Sequence, residues 1–443
     1  MHIAIIGNGI SGITAARHIR KNSDHKITVI SAETDYFFSR TALMYVYMGH
    51  MKFEHLHPYE NWFWEKNRIE LINNYVDKVD VQNKQLQFAD GKSMKYDKLI
   101  IASGSKPNKF GWPGQDLEGV TGMYSYQDLQ AIKEFSEGLQ RAVIVGGGLI
   151  GIELAEMFHS RHIPVTFLVR ENSFWNGVLS PGESAMINRE IKLNGIDLRL
   201  GEELEEILPD ANGKVRAIKT KSGEEIACQY VGLTAGVTPN ISFLDNAEVE
   251  TQRGILVNTY FETNATDVYA IGDCAQFKEA LPGRKAIEQV WYTGRMHGET
   301  VAQSICGKRT PYTPGPWFNS AKFFDIEYQT YGTVLPDNPE GQKSLYWEHE
   351  SGRKCMHIVY QENDQQVVGI NLFGIRQRHE VWDEWLKEKR TLTYVLEYLH
   401  DANFDPEFFD THEQNLIEEY NRQFPDKKVK AKKKKRFLER LGF

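Results

Sequence analysis

Apolar residues open the chain in a short unbroken run, Ile3-Ala4-Ile5-Ile6, which stops at a glycine-rich stretch. The pattern predicts a strand over His2–Ile6, a turn over Gly7–Gly12, a helix over Ile13–Lys21 and a second strand over Lys26–Ile30. Strand, helix, strand in that order implies a parallel sheet. The same order returns at Arg141, with a strand over Ala142–Val145, a turn over Gly146–Gly151, a helix over Ile152–Arg161 and a strand over Val165–Val169. The two copies lie too far apart for a solenoid and read as domain duplication. Thr310-Pro-Tyr-Thr-Pro-Gly-Pro316 reads as a linker. Beyond it, strands are expected at Ala321–Gln329, Ser344–His349, Cys355–Tyr360 and Gln366–Leu372, with turns at Gly352 and Asn363-Asp364. Helices are expected over His379–Leu399 and Pro406–Phe424.

The first turn, Gly7-Asn8-Gly9-Ile10-Ser11-Gly12, is a G-x-G-x-x-G loop between a strand and a helix. The first glycine permits a tight turn, the second lets backbone approach a pyrophosphate, and the third lets helix pack on strand. Unpaired N–H groups at the helix start face the phosphates. Glu33, 21 residues after Gly12, is placed to accept both ribose hydroxyls. The second loop, Gly146-Gly147-Gly148-Leu149-Ile150-Gly151, repeats the logic, with Glu153 just inside its helix. Val169 stands where an NAD-selecting acid is expected, and Arg170 follows. An arginine there can pair with a 2′-phosphate, or be a solvated loop charge; Glu171 could bind a ribose instead. The reading leans towards NADPH over NADH.

Charge narrows the partners. The formal net charge is -8 over 443 residues, yet Lys427 to Arg436 holds eight basic residues and no acid. Subtracting those eight leaves -16 on the rest, so no broad basic face remains for nucleic acid. At roughly 100–200 residues per domain, the length suggests about three domains. Cys228, Cys274, Cys306 and Cys355 are scattered, without CxxC or CxxxxC spacing, which fits a reducing cytoplasm and argues against a disulfide framework or a zinc or iron–sulfur site. No apolar run approaches the ~18–20 residues of a membrane span, and the N-terminus reads as a strand, not as an export signal.

Three further segments carry a resemblance. Together with the two glycine loops, Tyr96-Asp97-Lys98-Leu99-Ile100-Ile101-Ala102-Ser103-Gly104-Ser105-Lys106-Pro107, Ala235-Gly236-Val237-Thr238-Pro239-Asn240 and Thr266-Asp267-Val268-Tyr269-Ala270-Ile271-Gly272-Asp273 fall in the order seen in the pyridine-nucleotide-dependent flavoproteins. The chain resembles that family over residues 1 to about 308. The resemblance implies an α/β fold: two Rossmann-like dinucleotide-binding domains, the NAD(P) domain inserted in the FAD domain, plus a C-terminal α+β domain. The expected division is 1–110 and 238–309 for FAD, 111–237 for NAD(P)H, 310–426 for the C-terminal domain and 427–443 for a mobile basic tail. The cofactor set it implies is FAD with NADPH or NADH. Gly7, Gly9, Ile10, Ser11, Gly12, Glu33, Arg40, Val76, Ala102, Ser103, Gly104, Gly272, Asp273 and Trp291 would hold FAD, with Asp273 on the ribityl chain. Gly146, Gly148, Leu149, Ile150, Gly151, Arg170 and Gly236 would serve the nicotinamide side. No metal site is expected, and His55 and His57 read as surface residues.

The segment Tyr36-Phe37-Phe38-Ser39-Arg40-Thr41-Ala42-Leu43-Met44-Tyr45 separates branches of the family. Arg40 stands where relatives with a redox cysteine carry it. The segment is similar to the Y-x-R-x-x-L of rubredoxin and ferredoxin reductases and of the assimilatory nitrite reductase flavoprotein, with Phe38 for Tyr. Trp291-Tyr292-Thr293-Gly294-Arg295-Met296-His297-Gly298 resembles their W-x-N-A-x-x-Q-G; Thr293, His297 and, earlier, Tyr45 are departures. The resemblance implies an oxidoreductase without a redox disulfide. It would take hydride from NAD(P)H and pass electrons to a small iron–sulfur protein. Trp291 would cover the flavin, and Glu153 would tune it or order the nicotinamide. His297 reads as a packed or exposed residue and Cys274 as a small buried one. A membrane-surface quinone reductase docked by the basic tail, and a flavin-stabilised interaction protein, are the alternatives. A homodimer is a further expected partner state.

Overall fold

The computed structural model describes residues 1–245 and 247–432. Two compact units emerge from its contacts: residues 1–170 with 202–314, and residues 171–201 with 315 onward.

In the first unit, strand β1 (His2–Ile6) leads through the glycine turn into helix α1 (Ile10–Asn22) and back along β2 (Lys26–Ser31). The helix begins three residues before its expected start, because the loop's own Ile10 and Ser11 already form its first turn. β1 lies at the centre of a five-stranded sheet ordered Val268–Ala270, Lys98–Ile101, β1, β2, Ile69–Asn73. Every pairing in it is parallel, with Ile5 opposite Val29 on one side and Ile100 on the other. Both faces are covered, so β1 is apolar in consecutive and not alternate positions. The strand Val268–Ala270 closes this sheet from the far end of the unit. This first sheet is thus built from two chain segments.

The second copy follows the same plan. Ala142–Val145 pairs in parallel with Val165–Val169 and with Tyr230–Leu233, and Tyr230–Leu233 with Val120–Thr121. Between the two copies runs an antiparallel pair, Ser105–Pro107 with Val237–Pro239. The helix Trp291–Ile305 lies against α1 so closely that a Cβ on Gly298 would sit 2.5 Å from the Ser11 carbonyl oxygen.

The second unit holds a five-stranded antiparallel sheet ordered Phe318–Phe323, Ile326–Gly332, Val367–Phe373, Cys355–Gln361, Gln342–Glu348. The helix Pro181–Leu193 belongs to it. Its start is set by a Ser180–Glu183 capping box with Pro181 in the first turn. Glu183 faces His357 at 3.0 Å, and Glu190 accepts two hydrogen bonds from Arg353 at 2.9 and 3.0 Å.

Three expected elements are corrected here. The strand expected over Ala321–Gln329 is a hairpin, broken where Phe324 takes φ +52° ahead of Asp325. The helix expected over His379–Leu399 is two, His379–Lys387 and Leu392–Tyr398. Lys389 turns left-handed (φ +56°), and the Thr391 hydroxyl caps the second by accepting the Tyr394 N–H. The helix expected over Pro406–Phe424 forms only over Glu413–Gln423, after a turn at Asp405. The basic tail also begins differently. Val429 is buried and bonded twice to the Asn421 side chain, and Lys432 pairs with Glu397 at 2.9 Å. The rest of that run, 433–443, lies outside the described residues. Among the described residues, no helix is long and apolar enough to cross a membrane.

Candidate functional site

The first glycine loop is closed by contacts that only glycine permits. Gly7 takes φ +110°, and a Cβ on it would lie 2.1 Å from the Ala102 carbonyl oxygen. A Cβ on Gly12 would lie 2.1 Å from the Gly7 carbonyl oxygen. Gly9, between them, faces open space. The loop is therefore jammed at both ends and open in the middle, where backbone N–H groups at the start of α1 are presented to a ligand. Ala102, Ser103 and Gly104 form the adjoining wall, and the Ser103 hydroxyl donates to the Asn240 carbonyl at 2.7 Å.

The second loop has the same closure. A Cβ on Gly146 would meet Thr234 backbone at 2.7 Å, one on Gly151 would meet the Gly146 carbonyl oxygen at 2.3 Å, and Gly148 faces open space. Leu149 and Ile150 begin the helix Leu149–Ser160. Gly236 takes φ +83° on the crossover, where the Asn108 N–H donates to its carbonyl. Arg170 is exposed at the end of the strand Val165–Val169.

A polar chain lines the first site. Arg40 donates to both carboxylate oxygens of Glu33, at 2.8 and 2.5 Å, and to the Tyr124 carbonyl at 2.6 Å. Its guanidinium also lies 4.6 Å from the Tyr124 ring centre. The Tyr126 N–H donates to Glu33 as well, at 2.9 Å. The sequence places Glu33 and Arg40 in the same site; the structure adds that they hold each other. Burial works against the Arg40 cation, but the Glu33 carboxylate outweighs it and raises the pKa. Further along, the Tyr124 hydroxyl accepts the Ser105 N–H at 2.9 Å. Ser105 Oγ donates to Asp273 at 3.2 Å and accepts from Gln289 at 2.9 Å. Burial pushes the Asp273 carboxyl up to about 6, opposed by Ser105 and Arg40.

Tyr124, Ser105 and Gln289 were not among the residues singled out from sequence. Ser105 sits inside the crossover motif and could have been found there. Tyr124 and Gln289 carry no local pattern. Trp291 is half-buried at the first position of its helix, its ring 5.4 Å from that of Tyr292. Val76 is buried at the start of an antiparallel strand. Glu153 lies one turn into its helix, where burial first and the neighbouring Glu156 second push its carboxyl up to about 7. His55 is exposed, and its Nδ1 accepts the Lys52 N–H at 3.3 Å. His57 packs on the rings of Tyr36 and Phe53. Cys274 is fully buried beside the Ile101 and Ile271 carbonyls. His297 is buried as well.

The residues present fit dinucleotides at both loops. Each offers a cradle that a Cβ on Gly9 or on Gly148 would begin to fill, and the first adds the Asp273 carboxylate as a second hold.

Sequence comparison matches residues 1–298 to the pyridine nucleotide-disulphide oxidoreductase family. The assimilatory nitrate reductase electron transfer subunit of Bacillus subtilis is 26% identical over 394 residues, covering 87% of this chain and 49% of the relative. The NADH-rubredoxin oxidoreductase of Clostridium acetobutylicum is 30% identical over 312 residues, covering 70% of this chain and 76% of the relative. The chain therefore spans about half the length of the first of these relatives. Among solved structures, a NAD-dependent persulfide reductase from A. fulgidus superposes with a TM-score of 0.83 at 21% identity, over 96% of this chain and 84% of that one.

Proposed function

This chain belongs to the pyridine nucleotide-disulphide oxidoreductase family, and from that premise we propose that it is an FAD-dependent reductase taking electrons from NADPH or NADH. It hands them to a separate small iron–sulfur protein of the rubredoxin or ferredoxin type. The observation that carries the reading is Arg40. An arginine locked to Glu33 occupies the segment where a redox thiol would stand, and Tyr36–Tyr45 contains no cysteine. Without a thiol relay, electrons leave for an outside acceptor.

The chain's own residues supply binding and electrostatics. The Gly7–Gly12 loop and the start of α1 would hold the pyrophosphate of FAD, Glu33 and Arg40 its adenosine side, and Asp273 its ribityl side. The Gly146–Gly151 loop would hold the nicotinamide dinucleotide, with Arg170 for a 2′-phosphate, and Trp291 would cover the isoalloxazine. When bound, FAD supplies the two-electron to one-electron conversion, and the protein supplies orientation. Glu153, with its carboxyl pushed up to about 7, holds a proton near neutral pH and avoids placing a second negative charge beside Glu156. The same reading keeps the protein in the cytoplasm and divides the chain after residues 110, 237, 309 and 426.

The test is anaerobic. Purified protein should be yellow, bleach on adding NADPH or NADH, and recolour on adding oxidised rubredoxin or ferredoxin faster than with a quinone. Bleaching without recolouring by either carrier would remove the acceptor assignment. Faster recolouring by a quinone would favour the membrane-surface reading suggested by the basic run.

A further inference from the structure

Beside Asp273 lies a buried cluster that the proposed chemistry does not use. His297 is 1% exposed and sits among three rings, with Phe261 and Tyr312 centroids at 4.6 Å and Phe277 at 5.8 Å. Its Nδ1 accepts the Gly272 N–H at 3.1 Å. An imidazole nitrogen that accepts carries no proton, so in the neutral ring the proton is on Nε2. Nε2 makes no hydrogen bond among the described residues but points at Glu288 Oε2, 3.6 Å away.

Glu288 is itself buried and fixed. Arg284 donates to it at 2.5 Å, and the Tyr312 hydroxyl at 3.2 Å. Burial disfavours its charge, but His297 and Arg284 outweigh that and keep the carboxyl below its usual range. Burial, opposed by Glu288, holds His297 below its ordinary pKa. The far side of the turn is equally constrained. Gly272 takes φ +72°, and a Cβ there would lie 2.3 Å from Ser11 Oγ in the first turn of α1.

We propose that His297 is a positioning residue for the flavin dinucleotide: its Nδ1 pins the Gly272–Asp273 turn against α1, and Glu288 selects the tautomer that can do so. The chain of contacts runs Arg284, Glu288, His297, Gly272, and ends at the carboxylate assigned to the ribityl chain. The proposal rests on that assignment of Asp273. Without the imidazole, the Gly272 N–H loses its buried acceptor, and Asp273 loses the support that aims it.

The experiment measures FAD binding to flavin-free protein by fluorescence quenching, alongside the thermal unfolding of each flavin-free variant. His297→Leu removes the acceptor and is expected to weaken FAD binding by about tenfold. His297→Asn places an oxygen where Nδ1 was and should bring binding back towards wild type. Asp273→Ala is the control for the underlying assignment. If Asp273→Ala binds FAD as wild type does, the assignment of Asp273 fails. If Asp273→Ala weakens binding while His297→Leu does not, or His297→Asn is as weak as His297→Leu, the role of His297 fails. Nitrogen NMR of the wild-type protein gives a readout independent of any variant's folding. His297 should show an unprotonated Nδ1 and a protonated Nε2; the reverse tautomer overturns the proposal.

Discussion

The two glycine loops are alike in backbone and unlike in what stands beside them. In each, the first and last glycines are blocked (Gly7 and Gly12, Gly146 and Gly151) and one between them is open (Gly9, Gly148). Beside the first, Glu33 is tied to Arg40 and to the Tyr126 N–H, and a polar chain runs on to Asp273. Beside the second, the strand ends in Val169 and an exposed Arg170. On the proposed function, the first loop serves a cofactor that stays and the second one that enters and leaves at every turnover.

The largest effects are expected from filling the glycines. Gly12→Val or Gly151→Val pushes a branched side chain into backbone, and each should cost about 3 kcal/mol of stability. Gly9→Ala and Gly148→Ala should leave flavin-free stability within about 0.5 kcal/mol, while the first loses FAD and the second raises KM for NAD(P)H. Thermal unfolding of the four variants checks this. Equal losses would mean that the open glycines are structural too.

Next in size is Arg40→Ala, which leaves the partly buried Glu33 carboxylate without its cation. A loss of about 1.5–3 kcal/mol is expected, together with weaker flavin retention, measured by denaturant unfolding and flavin content. Arg170→Ala acts on nucleotide choice. It should lower kcat/KM for NADPH roughly ten- to a hundredfold relative to NADH. An equal change with both nucleotides would show that Arg170 does not meet the 2′-phosphate.

A smaller effect follows from Glu153. Its carboxyl is raised to about 7 in the folded protein, above the usual carboxylate range. Between those values the folded state binds more protons than the unfolded state, so stability falls as pH rises through that window and levels off above about 7. Glu153→Gln should flatten this slope and be relatively more stable at pH 8. An unchanged slope would place the titration on another group.

What could be read from sequence was local. β1 and the strands Ala142–Val145 and Val165–Val169 are each set by a few adjacent residues, and the structure forms them where expected, while each glycine turn is shorter than expected because its helix starts inside it, at Ile10 and at Leu149. The site's connections were not local. Ser105 and Asp273 are 168 positions apart, and Arg40 and the Tyr124 carbonyl 84, so no periodicity announces either contact. The hairpin at Phe324 was missed because its turn uses an ordinary residue at positive φ, not a glycine or asparagine. His297 was visible only as a departure from a motif. Its burial and its bond to Gly272 depend on packing between the helix Trp291–Ile305 and residues around 261–277.

On the proposed function, electrons pass from flavin to an external acceptor without a protein thiol. Reductive titration of the anaerobic protein with NADPH, followed by flavin absorbance, tests it most directly. Full bleaching is expected at one reduced nicotinamide per flavin, unchanged in a variant with all four cysteines replaced, with recolouring by oxidised rubredoxin or ferredoxin. A requirement for twice that amount in the wild type that the cysteine-free variant loses, or loss of turnover in that variant while it still binds flavin, would reveal a second redox centre of thiol character and contradict it.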